Sequence, residues 1–487
     1  MSIHWPIIRR CLACPWAVAC VDDYRTYRRF SILIAALLMA DEIDRRCKTR
    51  TVGVMTPTGG MFPIAALAVW MTGRTVVPLN YLLKEEELQY VIDDCGCDTI
   101  VTVQGMLDFM GFKPKVANLI RFEDVDFKTL PEPRVPAMNA DDDLGVLLYT
   151  SGTSGKPKGV MLSHGNVSAN IRQCRDWIDI PRDGVFLGVL PQFHSFGMTV
   201  LTLLPLTVGC KAVYTARFVP NKIVRLIRDH KANFFIGIPS MFNALMMVKS
   251  ATPEDLASLR VVVSGGEPLP DVVSKRFKER FGVTLAEGYG LTETSPATNW
   301  CRPQEYKPHS VGRAIPEVVE RIVDIETGRD LGPGLDGEVR IKGPNLMQGY
   351  YKLPEATAAA FDEEGFFRTG DIGRMDADGH LYITGRLKEM LIIGGENVFP
   401  REIEEVLNAH PTVKDSGVVG RVDPVRGELP VAFVELKDGE KFDEQALITW
   451  CRGHLAGYKL PAEVKHLEAL PRNPTGKVMR RELKKLV

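Results

Sequence analysis

Between Tyr27 and Asn80 the chain alternates between two incompatible periodicities, and that alternation restricts its fold more than any other feature. YRRFSILIAALLMADEIDRR, from Tyr27, carries apolar residues at helical spacing, whereas RTVGVMT, from Arg50, is an apolar run of strand length. FPIAALAVWMTG, from Phe62, is helical again, and RTVVPLN, from Arg74, returns to strand. Strands separated by helices pair in parallel, and a parallel sheet needs helices on its faces. The alternation resumes with NFFIGIP and LRVVVSGG as strands and NKIVRLIRDHK and DVVSKRFKERFG as helices. The expected class is therefore α/β.

A chain of 487 residues is too long for one ordinary core. The pattern divides it into a large N-terminal body, 1–384, and a small α+β domain, 385–487. Within the body, VERIVDIETGRDL, GEVRIKG and GHLYITG shift to short strands and turns, which marks a small β subdomain from about 310 to 384. In the second unit Pro400 suits the first position of a helix, with Glu402, Glu404 and Glu405 following near the positive end of its dipole.

From the apolar strand LGVLLYT the chain runs directly into YTSGTSGKPKGVMLSH, from Tyr149. Gly152 and Gly155 allow backbone angles that turn N–H groups toward an anion. Thr150, Ser151, Thr153 and Ser154 add hydroxyls, and Lys156 and Lys158 add charge, so a polyphosphate is the natural guest. Only two residues separate the glycines, and Pro157 follows Lys156, so this is not the P-loop of a Walker NTPase. In EGYGLTETSP the Tyr289 ring can stack on a purine, Thr292 offers a hydroxyl to phosphate, and Glu293 offers a hard oxygen to Mg²⁺. Asp371, in RTGD, has the lone pairs to accept both hydroxyls of a ribose.

A net charge of −1 gives no global electrostatic case for nucleic-acid binding. The ten cysteines form no disulfide ladder, and Cys11 and Cys14 make a CxxC with no second half, so a reducing cytoplasm fits best. Arg9 and Arg10 before CLACPWAVAC imitate a signal segment faintly, but Pro15 interrupts the apolar part. Runs such as SILIAALLMA are too short to span a bilayer, leaving at most peripheral membrane contact.

Further segments fall in order along the chain: PQFHSFGMT from Pro191, SGGEPLP from Ser264, RTGD from Arg368, GRLKEMLIIGGEN from Gly385 and PRNPTGKVMRREL from Pro471. Together with the two glycine-rich segments they resemble the adenylate-forming superfamily of acyl-CoA synthetases, luciferases and peptide-synthetase adenylation domains, and bacterial fatty acyl-CoA synthetases above all. The resemblance implies that Tyr289 and the backbone of Gly266, Glu267 and Pro268 sandwich adenine, Thr292 holds the α-phosphate, and Asp371 with Arg386 holds the ribose. It further implies Glu293 and Thr153 as ligands of Mg²⁺, Lys477 as the lysine bridging carboxylate and α-phosphate, Lys388 as the hinge of a mobile C-terminal domain, and Gly395 as a wall of the pantetheine tunnel. His194 and Phe196 match the gate and wall of the acyl pocket, with Gly288, Ser295 and Pro296 at its floor; Thr292, Glu293, His194 and Lys477 form the expected catalytic set.

The implied reaction activates a fatty acid with ATP as acyl-adenylate, releases pyrophosphate, and transfers the acyl group to CoA. Two alternatives stay open: loading of an acyl carrier protein, and an aryl acid as substrate. No aspartate stands between Pro191 and Met198 to pair with an amino group, so an uncharged acyl chain is favoured. The expected state is a monomer or homodimer.

Overall fold

The computed structural model describes residues 2–150, 156–394, 396–472 and 478–487. It is an α/β structure of four sheets. The first has seven strands in the spatial order Gly349–Tyr350, Lys158–Ser163, Leu144–Thr150, Thr75–Pro78, Thr51–Met55, Thr99–Thr102 and Asn118–Arg121. Its strands from Leu144–Thr150 onward run parallel, because the helices Met61–Met71 and Glu85–Cys95 carry the chain back over the sheet. Met61–Met71 is apolar almost throughout and almost wholly buried, and Trp70 donates its Nε1–H to the Gly145 carbonyl at 2.8 Å. That bond ties the helix to the strand that feeds the glycine-rich segment.

The second sheet has eight strands, in the order Ala297–Trp300, Ala286–Gly290, Val261–Ser264, Phe234–Gly237, Val185–Gly188, Lys211–Tyr214, Val18–Val21 and Thr26–Arg28. The segment that faintly imitates a signal is built into this body: His4–Ala13 is a helix, and Cys20 pairs with Ala212 in parallel register. Of the ten cysteines, nine are buried and Cys14 is exposed. Among the described residues no helix is long and apolar enough to cross a membrane.

The third sheet is antiparallel and joins Val319–Val323, Gly337–Lys342, Phe367–Met375 and Leu381–Arg386. The fourth contains Leu391–Ile393, Glu396–Val398, Val413–Asp423, Gly427–Leu436 and Glu463–His466, backed by the helices Pro400–Asn408 and Glu444–Arg452. Its apolar residues close their own cores, one of them built on Ile403, Leu407, Val418 and Leu447. Between the third and fourth sheets, a Cβ on Gly385 would stand 2.5 Å from the Phe399 ring, so the chain passes there only as glycine.

Candidate nucleotide and acyl site

Thr150 and Lys158 pair across an antiparallel hairpin, so the glycine-rich segment joins strand to strand rather than strand to helix. The next helix, His164–Trp177, starts only after the second strand. Ser151, Gly152, Thr153, Ser154 and Gly155 lie outside the described residues. Lys158 Nζ stands 5.2 Å from the centroid of the Tyr350 ring, and Lys156 Nζ 5.3 Å from that of Tyr90.

The carboxyl ends of two adjacent strands of the second sheet supply the next group, as open α/β sheets commonly do. After Val261–Ser264 the chain turns at Gly266, whose φ of 80° suits glycine, and exposes Gly266 and Pro268 beside half-buried Glu267. After Ala286–Gly290 come Thr292, which is buried, and Glu293, which is half-buried. The Tyr289 hydroxyl donates to Asp371 at 2.6 Å, and Arg386 Nε reaches the other oxygen of the same carboxylate at 2.6 Å. Burial, and then the Asp371 charge, hold the Tyr289 phenol far above its ordinary value, so it remains a donor.

Glu293 accepts a hydrogen bond from the Tyr350 hydroxyl at 2.9 Å. The Tyr350 phenol is pushed up by burial and by that carboxylate. Tyr350 thus links Glu293 to Lys158, a role that its setting in GYYKLP gave no sign of. Lys388, in a short turn after Arg386, has its pKa lowered, first by burial and then by Arg386. Asp371 and Glu293 oppose the shift, which places the ammonium within electrostatic reach of both carboxylates. The donor set fits Mg²⁺ and a nucleotide: one carboxylate beside a phenol and lysine, and a second already holding an arginine.

In the PQFHSFGMT segment His194 caps a helical run, Ser195–Met198, that widens into a π turn over Thr199–Leu203 and continues as Leu204–Val208. Pro205 lacks an amide hydrogen, and the widening accommodates it. His194 is exposed to solvent, yet surrounding protein desolvates its imidazole and lowers its pKa, as for a group lining a cleft. A Cβ on Gly265 would lie 3.2 Å from the Phe196 ring and 3.6 Å from the Gly288 carbonyl, so the PQFHSFGMT segment meets the two strand ends. Ser295 and Pro296 are buried.

The fourth-sheet unit presses on the same region. Arg401 donates to the Ile383 carbonyl and lies near Glu287, a residue to which the sequence assigned nothing. Burial pushes the Glu287 carboxyl up to about 7, against the opposing pull of Arg401, the Leu269 amide at 3.3 Å and His309. Gly395 and Lys477 lie outside the described residues. On either side of 473–477, Arg472 and Val478 form an antiparallel bridge. Arg480 joins Glu389 at 2.7 Å and Glu404 at 2.6 Å, bracing that tail against the residue next to Lys388.

An α/β fold that sets Glu293, just past a strand end, and Asp371, within a strand, in electrostatic reach of Lys388 suits a nucleotide-handling enzyme. Family models of AMP-binding enzymes and of their C-terminal domain match residues 10–351 and 402–477, and the chain belongs to that family. It is 33% identical over 498 residues to a long-chain-fatty-acid–CoA ligase of Bacillus subtilis, covering 93% of this chain and 88% of the relative. It is 30% identical to a feruloyl-CoA synthase of an Amycolatopsis species, covering 99% and 98%. The crystal structure of ATP-bound MatB from Rhodopseudomonas palustris superposes with a TM-score of 0.90 at 29% identity, covering 100% of this chain and 99% of that one.

Proposed function

We propose that this adenylate-forming CoA ligase takes a fatty acid and converts it, with ATP, Mg²⁺ and CoA, to a fatty acyl-CoA. A carboxylate oxygen attacks the α-phosphorus and pyrophosphate leaves; the CoA thiol then attacks the acyl carbon, AMP leaves, and the thiol proton is lost. Two anions meet in the first step, so charge neutralisation and alignment dominate its barrier. Glu293 and Thr153 would hold Mg²⁺, which would supply Lewis acidity at the phosphates. Thr150, Lys156 and Lys158 take charge on the leaving pyrophosphate, Asp371 and Arg386 hold the ribose, and Lys477 bridges the reacting anions. Residues 1–384 and 385–487 act as separate domains, and Lys388 is the hinge that exchanges Lys477 for the Gly395 segment between the two steps.

The observation that carries the fatty-acid reading is the mostly apolar character of the PQFHSFGMT segment, with Phe196 against Gly265 and no carboxylate, lysine or arginine between Pro191 and Met198. The likeness to the feruloyl-CoA synthase favours a second reading, an aryl acid. A panel of saturated and aryl carboxylates with ATP, Mg²⁺ and CoA, read by mass spectrometry of the thioesters, separates the two. Exclusive turnover of cinnamate-type acids would overturn the first.

A further inference from the structure

Three large apolar side chains stand out in solvent beside the N-terminal edge of the second sheet: Leu12 at 65% exposure, Trp16 at 70% and Phe30 at 44%. The rings of Trp16 and Phe30 lie 5.9 Å apart, and the Phe30 amide donates to the Pro15 carbonyl at 2.9 Å, so the two rings share one surface. Strand Thr26–Arg28 is the last of its sheet, and among the described residues no further strand covers this side. Exposed Arg9, Arg10 and Arg28 lie in the same segment. Arg10 donates to the Thr207 carbonyl at 3.2 Å and Arg28 to the Trp16 carbonyl at 2.6 Å; a neutral partner leaves each charge uncompensated.

We propose that this face docks on an anionic lipid bilayer, with Trp16, Phe30 and Leu12 entering the headgroup region and Arg9, Arg10 and Arg28 meeting lipid phosphates. Aromatic rings beside arginines suit that interface, where the ring sits at headgroup level and the guanidinium stays hydrated. A second copy of the chain is the poorer occupant, because a two-fold contact through this face sets arginines against arginines. Thr207, which accepts from Arg10, lies at the far end of the helical run that starts beside His194. Docking here would therefore put the bilayer beside one end of a helical run whose other end carries His194.

The test is co-sedimentation of the full chain with extruded phosphatidylcholine vesicles, with and without phosphatidylglycerol, at low and high salt. The protein is expected to pellet with the anionic vesicles and to be released by salt. Arg9→Gln should weaken partitioning about five-fold, the contribution of one basic residue near such a surface, and Trp16→Ser should weaken it further. Both variants should form thioesters from a water-soluble short acid at the wild-type rate, which shows that they are folded. Equal partitioning to neutral and anionic vesicles, or unchanged binding of both variants, would overturn the proposal. So would sedimentation velocity showing a dimer that Trp16→Ser dissociates, which would give the face to a second copy.

Discussion

Asp371 and Glu293 both lie within electrostatic reach of Lys388, and their neighbours differ. With Arg386 and the Tyr289 hydroxyl each at 2.6 Å, Asp371 is already paired but has lone pairs to spare, as the hydroxyls of a sugar would need. The Glu293 carboxylate instead accepts from a phenol at 2.9 Å, the Tyr350 hydroxyl. Tyr350→Phe removes a hydrogen bond to a charged acceptor, a change of about 1.5–3 kcal/mol, so adenylation should slow by roughly ten-fold or more. ATP–pyrophosphate exchange measures this, and a wild-type rate would leave Tyr350 with packing alone. On the acyl side, a Cβ at Gly288 would meet Val263 Cγ1 at 3.1 Å. Gly288→Leu must therefore displace that wall as well as fill acyl space. Long acids should lose activity while short ones and ATP affinity are retained. An unchanged chain-length profile in a variant of normal melting temperature would place the acyl tunnel elsewhere.

Elements were legible where a local pattern decides them. Leu144–Thr150 and Pro400–Asn408 begin where the sequence expected, because an apolar run of strand length and a proline at the first helical position are local signals. What the sequence hid was long-range. Nothing in VACV points to a parallel partner at Lys211–Tyr214, and the bond between Tyr350 and Glu293 joins residues 57 positions apart. The π turn before Pro205 was equally silent, since a helical pattern cannot show which turn widens. The hinge, by contrast, is an element-scale proposal open to a direct test. Lys388→Pro fixes φ in the Leu387–Glu389 turn and restricts Leu387. Pyrophosphate exchange should survive while thioester formation falls, and equal loss of both would remove Lys388 from the hinge.

At the scale of the whole molecule, Glu287 makes stability depend on pH. Its carboxyl rises from an ordinary 4.5 to about 7 on folding, so the unfolded chain releases this proton first. The contribution is fully present below about pH 4.5 and is lost as pH rises through about 7, a span worth about 3 kcal/mol at most. Glu287→Gln keeps an acceptor for the Leu269 amide and does not titrate. Its melting temperature should exceed that of the wild type at pH 8, and the two should converge at pH 5; parallel curves would show that Glu287 ionises as freely in the fold as outside it. The burial of nine cysteines has a practical consequence of another kind. A maleimide dye added to the native protein should attach at Cys14 alone, two residues from Trp16. One fluorophore, introduced without engineering, would then report whether that surface is in water or in lipid.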